Sequence, residues 1–296
     1  MKLCKPLFEI WEQSAGLEGV YKMIEYAGRV CYKSEDKITE DSAKPFVDRM
    51  IKSGHGAMLE HGTVYLQYET VKSAINPLTK YYLNKYSKVK AKEGLIGKTA
   101  RLFVTTNLRV LVENDWLDDL QYICEPTEFH ERRVTVHFVC DRGVSHEFVR
   151  HRVMSFAQES TRYCNYSKDK FGNELTFIKP CWLDIPTGHY AYWDGDWCDV
   201  DKMKIQLPEG EHKDIDAFLW TLNNAETHYT LLINSGWKPQ EARAVLPNSL
   251  KTELVMTGFV SDWKHFFELR CDSAAHPQAR ELAIPLREEF IKRNYI

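Results

Sequence analysis

The chain has 296 residues, of which 44% are hydrophobic and 27% charged, and its formal net charge is −3. This composition is typical of a soluble globular protein, and the charge argues against an extended nucleic-acid surface. No apolar run reaches the roughly 18 residues that a membrane-spanning helix needs, and the first residues lack the apolar core of a signal peptide. The sequence therefore predicts a cytoplasmic protein that binds neither nucleic acid nor membrane.

The sequence carries no obvious boundary between domains. It has 15 glycines and 11 prolines, with no linker rich in glycine, serine or proline. Length alone gives a prior of about two domains, but without a linker we expect one domain over residues 1–296, with insertions. The 8 cysteines lie far apart and never form a C-x-x-C pair. Most are expected to be reduced and buried, and not part of a zinc ribbon or redox pair.

In the first half of the chain, apolar spacing and β-branched alternation predict strands and helices in turn. A loop with two histidines occupies 55–61, and the stretch rich in lysine and tyrosine from Val71 to Gly97 predicts a surface helix or an insertion. Thr106 or Asn107 can cap the short helix that follows. The predicted elements are a strand at 1–13, helices at 17–32 and 42–52, strands at 63–70 and 98–105, and a short helix through Leu111.

In the second half, the strongest strand pattern is R-V-T-V-H-F-V-C at 133–140. A turn at 141–143 follows, and Ser145 with Glu147 matches a capping pattern, which predicts a helix from Val144 to Met154. The stretch from Asp184 to Asp201 has no period and predicts a loop-rich insertion. The other predicted elements are strands at 175–179 and 250–257 and helices at 211–235, 239–245, 261–271 and 277–293. This mixture of helices and strands predicts a mixed α+β fold.

Residues 150–162 spell R-H-R-V-M-S-F-A-Q-E-S-T-R, which combines three arginines, one histidine and two serines with apolar residues. Guanidinium groups bind phosphate and carboxylate through paired hydrogen bonds, and serine hydroxyls complete such a site. The run therefore predicts a site for a phosphorylated small molecule. The alternative is a salt-bridged helix followed by a polar turn, because acidic partners are plentiful in this chain. Arg243 lies among apolar residues and is a further cation that needs a partner.

Two features suggest metal or covalent chemistry, and the residues around them argue against both. His146-Glu147 begins like the H-E-x-x-H zinc motif, but Arg150 stands where the second histidine belongs. His151 would lie about 140° from His146 on a helix, so the two rings cannot share a metal. Cys181 has no activating base that the sequence identifies and is expected to be structural. We therefore expect no metal site and no protein nucleophile.

The pattern R-H-R, seven residues, then S-x-R is similar to the signature of the flavin-dependent thymidylate synthases, the ThyX family. Four further blocks resemble this family. They are Gly54-His55 with Glu60-His61, D-R-G-V-S-H-E at 141–147, E-A-R-x-V-L-P at 241–247 and L-R-x-D-S at 269–273. The resemblance extends over roughly residues 55–280, apart from the two insertion-like stretches.

The resemblance implies a ThyX-type fold, with a central, mostly antiparallel sheet flanked by helices and two insertions. It implies an enzyme that methylates dUMP to dTMP, with 5,10-methylenetetrahydrofolate as carbon donor and NADPH as reductant through bound FAD. Family members are usually homotetramers whose active sites lie between subunits. The implied partners are therefore these small molecules and further copies of the chain.

The resemblance also implies roles for individual residues. Arg270 is the implied catalytic residue, because it matches the family arginine that meets the uracil ring, where a fixed cation favours ionisation at N3. The implied FAD-binding residues are His55, Ala57, Arg150, His151, Arg152, Val153, Gln158, Phe259 and His265. The implied dUMP-binding residues are Glu147, Arg150, Gln158, Glu159, Ser160, Arg162, Arg243 and Arg270.

The chain departs from the family pattern at three positions. Phe259 stands where many members have asparagine, Ala57 where a hydroxyl residue often touches flavin, and Ala274 where histidine is common. The alternative function is a flavin- or nucleotide-binding sensor that has lost turnover, and a metal-dependent hydrolase comes third. Because no departure removes an arginine of the motif, the sequence favours the enzyme.

Overall fold

The computed structural model describes residues 1–71, 79–93, 99–193, 196–200 and 213–296. Within these ranges helices and strands alternate, which confirms the mixed α+β fold. The helices are α1 (Gly16–Tyr32), α2 (Ala43–Lys52), α3 (Gly56–Leu59), α4 (Thr79–Tyr82), α5 (Leu108–Glu113), α6 (Arg142–Phe148), α7 (Lys213–Asn234), α8 (Pro239–Ala242), α9 (Val260–Arg270) and α10 (Pro277–Lys292). The strands are β1 (Lys2–Cys4), β2 (Leu7–Trp11), β3 (Thr63–Val71), β4 (Lys88–Glu93), β5 (Thr99–Asn107), β6 (Arg133–Asp141), β7 (Ser155–Gln158), β8 (Thr176–Ile178), β9 (Gly188–Trp193), β10 (Asp196–Asp199) and β11 (Lys251–Phe259).

These strands form three mostly antiparallel sheets. One has the order β2-β6-β11-β7, a second β3-β5-β4 and a third β10-β9-β1-β8. Among the described strands, the parallel pairing joins β1 to β8. In the first sheet β6 and β11 pair along their full lengths, from Asp141 opposite Lys251 to Arg133 opposite Phe259. This pair is the platform on which the predicted site residues are placed.

The apolar face of the β6–β11 pair packs against α9 and α10. The side chains of Phe138, Trp263 and Phe266 are fully buried there, and Trp263 Nε1 donates a hydrogen bond to the Val134 carbonyl oxygen at 3.1 Å. Burial of each large apolar side chain contributes about 1.5–3 kcal/mol. This packing fixes α9, whose last residue is Arg270.

Most of the predicted elements are confirmed, with bounds that shift by one or two residues, although residue 98 of one predicted strand and residues 211–212 of one predicted helix lie outside the described residues. The 239–245 helix continues after α8 as a 3₁₀ turn over Arg243–Val245, and the predicted loop at 55–61 is wrong in part, because it contains α3. Residues 1–13 do not form one strand. β1 and β2 lie in different sheets, because the chain is interrupted at Lys5-Pro6 and proline cannot donate a ladder hydrogen bond. None of the described helices is long and apolar enough to cross a membrane.

The two insertion-like stretches contribute strands. From the first, β4 pairs with β5, with Lys88 opposite Thr105 and Glu93 opposite Ala100. From the second, β9 and β10 form an antiparallel pair that extends the sheet of β1. Residues 72–78, 94–97, 194–195 and 201 of these stretches lie outside the described residues.

The predicted helix from Val144 to Met154 is wrong in both its start and its end. α6 begins after Asp141, whose Oδ1 accepts a hydrogen bond from Val144 N at 2.7 Å, so Asp141 and not Ser145 is the cap. The helix ends at Phe148, and tight turns carry the chain through His151 into β7. His151 therefore lies beyond the end of the helix on which the sequence placed it.

Candidate active site

Arg270 is held in one orientation by the end of α6 and the turn that follows it. Its Nη1 donates to Glu147 Oε2 and its Nη2 to the Glu147 carbonyl oxygen, both at 2.8 Å. Its Nε donates to His151 Nε2 at 3.1 Å. A guanidinium has five N–H groups, so two remain for a ligand, and the side chain is 15% exposed. We call Glu147, His151 and Arg270 the Arg270 cluster.

His151 is the uncharged member of this cluster. Burial, followed by the nearby charges of Arg270 and His265, lowers the pKa of His151 to about 4. The imidazole is therefore neutral near pH 7, and since Nε2 accepts from Arg270, its proton is on Nδ1. The ring centroid lies 5.0 Å from that of Phe266 and 6.0 Å from that of His265. A neutral ring lets the Arg270 cation be held without a second positive charge beside it.

Gln158 ties β7 to the elements on either side of it. Its Nε2 donates to Ser145 Oγ of α6 at 2.8 Å and lies 3.3 Å from Thr252 Oγ1 of β11. Ser145 Oγ in turn donates to the Arg142 carbonyl oxygen at 2.9 Å. The amide nitrogen of Gln158 is therefore used within the protein, which leaves its carbonyl oxygen for the predicted ligand contacts.

The turn after β7 contacts Arg243. Arg243 Nη1 donates to Thr161 Oγ1 at 3.1 Å, and Ser160 Oγ accepts from Arg162 N at 3.3 Å. The Arg162 guanidinium lies 5.4 Å from the ring centroid of Tyr163. Both arginines are exposed. We call Ser160, Thr161, Arg162 and Arg243 the Arg243 cluster, in which the two arginines are exposed, Ser160 is half-buried and Thr161 is buried.

Glu159 is not open to a ligand in the way the resemblance suggests. Its side chain is 1% exposed, and its carboxylate accepts from Lys251 Nζ at 3.1 Å and from Tyr166 Oη at 2.9 Å. Burial, and not a lack of acceptor sites, keeps this carboxylate from a ligand in the single chain. The side chain therefore anchors the turn that carries Ser160.

Lys251 also binds Glu253, the centre of a buried network of charges. Glu253 accepts from Lys33 Nζ at 2.6 Å, and its other oxygen lies 2.9 Å from His137 Nε2. Burial opposes ionisation of Glu253, but the His137 hydrogen bond and the two lysine charges hold its pKa far below the usual range. The network joins α1 to β6 and β11 beneath the Arg243 cluster.

Three predicted flavin residues line one cavity of about 280 Å³. They are Arg152 and Val153, from the turn after α6, and Phe259, the last residue of β11. Gly258 also lines this cavity, and a Cβ there would approach Met154 Cγ to 2.9 Å. Arg152 directly follows His151, so the turn after α6 contributes one residue to the Arg270 cluster and the next two to this cavity.

The remaining predicted residues lie at the surface. His55 precedes α3 and Ala57 is within it, both are exposed, and α3 packs against β7. Arg150 is exposed, and its Nε donates to the His146 carbonyl oxygen at 3.3 Å. His265 is exposed on α9. In a single chain these side chains are exposed, and the His265 ring lies close to that of His151.

Three cations that line the same cavity were missed by the sequence reasoning. They are Lys85 and Lys88, from the stretch before and at the start of β4, and Arg133, the first residue of β6. The lysine-rich composition of residues 80–92 was a signal, but nothing local showed that this stretch folds against the turn after α6. Nothing in the sequence marked Arg133 as a functional residue, because the alternating pattern at 133–140 is explained by burial of one face of the strand.

The family model described as thymidylate synthase complementing protein, Thy1, matches residues 88–293. The flavin-dependent thymidylate synthase of Pyrococcus furiosus is 31% identical over 160 residues, which cover 53% of this chain and 53% of the relative. That of Corynebacterium aurimucosum is 22% identical over 277 residues, or 93% of this chain and 77% of the relative. A UMP/dUMP methylase, PolB, from Streptomyces cacaoi bound with 5-Br UMP aligns with 99% of this chain and 92% of its own, at 16% identity and a TM-score of 0.43.

The match to the first of these relatives spans about half of its length, whereas the family model reaches from β4 into the end of α10. The matched range includes the R-H-R run, the S-x-R run and Arg270, which carry the resemblance seen in the sequence. The chain belongs to the thymidylate synthase complementing protein family, the family of the flavin-dependent thymidylate synthases.

Proposed function

We propose that this chain methylates dUMP to dTMP, with 5,10-methylenetetrahydrofolate as carbon donor and NADPH as reductant through bound FAD. The observation that carries the proposal is the Arg270 cluster, in which a cation is fixed by three hydrogen bonds and keeps two N–H groups free. A cation fixed before substrate arrives can stabilise negative charge on the uracil ring without further reorganisation. Catalysis then depends on position and charge, and no protein nucleophile is needed.

The donor set beside Arg270 fits a flavin dinucleotide. The turn after α6 presents His151 toward Arg270 and Arg152 with Val153 toward the cavity of about 280 Å³, and guanidinium groups suit the phosphates of such a cofactor. When bound, FAD would supply the redox chemistry of the reaction. The residues of this chain orient the reactants, and Arg270 provides the fixed positive charge at the uracil.

The Arg243 cluster supports the proposed contact with the dUMP phosphate. Arg162 and Arg243 are exposed cations, the half-buried Ser160 adds a hydroxyl that can donate to a phosphate oxygen, and the buried Thr161 accepts from Arg243. Charge-assisted hydrogen bonds of this kind are the strong ones in proteins. Glu159, held by Lys251 and Tyr166, keeps the turn in place beneath them.

We further propose a homotetramer with one domain per chain, in which different copies complete each active site. The Arg270 cluster includes His151, before β7, and the Arg243 cluster begins at Ser160, after β7. A four-residue strand spans about 13 Å, so the flavin and phosphate sides of one chain are held apart. Light scattering of the purified protein would test this, and a monomer that is fully active would contradict it.

The function is tested by incubating the purified protein with FAD, dUMP, methylenetetrahydrofolate and NADPH and measuring dTMP by chromatography. We expect dTMP, flavin absorbance in the protein fraction, and no dTMP from Arg270→Ala. Protein that binds FAD and dUMP but forms no dTMP would favour the alternative, a sensor without turnover. Colourless protein with no affinity for either ligand would contradict both.

A further inference from the structure

The cavity beside the Arg270 cluster is strongly basic. Four cations line it, and they come from separate parts of the chain: Lys85, Lys88, Arg133 and Arg152. Asp262 is the carboxylate that lines the same cavity, and its Oδ2 already accepts from Phe259 N at 3.0 Å. Four cations brought together from three segments of the chain repel one another, so their convergence needs a negative charge that the chain supplies only in part.

Arg133 is the least exposed of these four cations. Its Nη1 donates to the Glu60 carbonyl oxygen at 3.0 Å and to Thr63 Oγ1 at 3.2 Å, and its Nη2 donates to Ser155 Oγ at 3.3 Å. These partners are uncharged, and in the described part of the chain Arg133 forms no ion pair with a carboxylate. Burial lowers the pKa of Arg133 to about 10, which still leaves it charged at pH 7.

Arg133 is partly buried and has no carboxylate partner among the described residues, and a charge in that position is unfavourable unless a ligand supplies the counter-charge. Arg133 lines the cavity from its inner side, while the exposed Lys85 and Lys88 line it nearer the solvent. The Phe259 ring contacts both kinds of cation, with its centroid 5.6 Å from Arg133 Cζ and 5.5 Å from Lys88 Nζ. The cavity therefore offers a partly buried cation, exposed cations and an aromatic ring that contacts both.

We propose that this cavity binds the diphosphate of FAD, with Arg133 and Lys88 as its principal contacts and Lys85 at its rim. The inference rests on the proposed function and adds residues that the family signature does not contain. Pockets that enclose a whole small ligand measure roughly 300–1,000 Å³, so a cavity of about 280 Å³ holds part of a dinucleotide and not all of it. The diphosphate is the part whose charge matches the lining.

The test measures FAD affinity by the change in flavin fluorescence, for the wild-type protein and for Lys88→Gln, Lys85→Gln and the double variant. A hydrogen bond to a charged group contributes about 1.5–3 kcal/mol, so we expect FAD binding to weaken about 10- to 100-fold in Lys88→Gln. Lys85→Gln should have a smaller effect because of its exposure. Lys92→Gln is the matched control, because Lys92 lies on the same strand over Phe129 and outside the cavity, and it should bind FAD like the wild type.

Competition by fragments identifies which part of FAD is bound. ADP should displace FAD from the wild-type protein and should lose affinity in Lys88→Gln by the same factor as FAD. Riboflavin, which has no phosphate, should bind the wild type and Lys88→Gln equally. Equal FAD affinity in Lys88→Gln and the wild type would overturn the proposal, as would an equal loss for riboflavin.

The diphosphate of NADPH has the same chemistry and is the other source to be distinguished. If Lys88→Gln keeps its FAD affinity but needs more NADPH to reduce the bound flavin, the cavity serves NADPH and the assignment to FAD is wrong. Arg133→Met tests the inner contact, with circular dichroism to confirm folding, and the lysine variants keep the proposal testable if this protein unfolds. A protein that binds FAD through Lys88 but forms no dTMP would contradict the proposed function alone, whereas dTMP formation with unchanged FAD binding in Lys88→Gln would contradict this inference alone.

Discussion

Arg270 binds Glu147 twice, once through the carboxylate and once through the main-chain carbonyl, at 2.8 Å in both cases. The two hydrogen bonds come from different nitrogens of one planar guanidinium, so they fix its plane as well as its position. The carbonyl is that of a residue near the end of α6, where main-chain oxygens lack helical partners. Arg270 therefore closes the end of α6 and is oriented by it.

Arg270→Lys should form dTMP at least about 100-fold more slowly than the wild type. The ammonium group of lysine cannot reproduce the three hydrogen bonds that Nη1, Nη2 and Nε of the guanidinium make. The protein should still bind FAD, since the cavity cations are unchanged. Steady-state rates of dTMP formation and FAD titrations would measure both effects. Arg287→Lys, at an exposed position of α10, should retain the wild-type rate. A rate near that of the wild type in Arg270→Lys would show that charge alone suffices.

Asp141→Ala should destabilise the protein by about 1 kcal/mol, the usual effect of losing a helix N-cap. Asp141 Oδ1 accepts from Val144 N at the start of α6, and α6 carries Glu147, so the same change should lower activity. Asp141→Asn keeps an acceptor oxygen and should lie close to the wild type in urea denaturation. If Asp141→Asn and Asp141→Ala lowered the free energy of unfolding equally, the charge of Asp141, and not its hydrogen bond to Val144 N, would be what stabilises the protein.

Arg243→Ala should weaken dUMP binding by about 10-fold or more, because it removes a charge-assisted contact to phosphate. Deoxyuridine, which lacks the phosphate, should bind this variant and the wild type equally. Calorimetric titration with the two ligands separates a phosphate contact from a general disturbance of the site. Ser160→Ala should show the same selectivity with retained turnover. A complete loss of turnover with intact dUMP binding in Ser160→Ala would instead indicate a nucleophile.

The free energy of unfolding should decrease as the pH falls from about 6.5 to 5. Burial, with the Arg133 charge, lowers the pKa of His61 to about 3, and the pKa of His151 is lowered to about 4. An unfolded chain takes up these protons near pH 6.5 and the folded chain does not, so acid favours unfolding across this range. Each histidine should contribute about 1.5 kcal/mol between pH 6.5 and 5.

Urea denaturation of the wild type and of His151→Gln at several pH values would measure this dependence. The variant should show a shallower slope than the wild type. Carboxyl groups with ordinary pKa values remain mostly ionised above pH 5, so they add little in this range. An unchanged slope in His151→Gln would mean that His151 is not held neutral by the fold.

Glu253→Gln should destabilise the protein by about 3 kcal/mol, because it leaves Lys33 and Lys251 partly buried without their shared counter-charge. Glu35 provides a matched control, since it also pairs with Lys33 but its side chain is 40% exposed. Glu35→Gln should lower the free energy of unfolding by less than about 1 kcal/mol. Equal effects of the two substitutions in thermal denaturation would contradict a buried role for Glu253.

The sequence predicted the structure correctly where the determining pattern is local. The alternation in 133–140 and the apolar spacing in 17–32 identified β6 and α1, and the signature motifs identified Arg270 and Arg243. It failed where a distant contact decides the local structure. The helix before His151 ends early as the chain turns toward Arg270, 119 residues away, and no local propensity records that contact. Lys88 was missed for the same reason, since its position in the site depends on how β4 pairs with β5.

β1 and β2 are separated by two residues and lie in different sheets, with β1 between β9 and β8 and β2 at the edge beside β6. The two sheets therefore cannot move apart without disturbing the short connection Lys5-Pro6 and the strands on either side of it. We expect the two sheets to lose structure in one concerted step, so that amide hydrogens of β1 and β6 exchange with solvent at similar rates. The site residues on β6, β7 and β11 would then share the stability of the whole chain, and a distant core substitution could impair activity without touching any ligand.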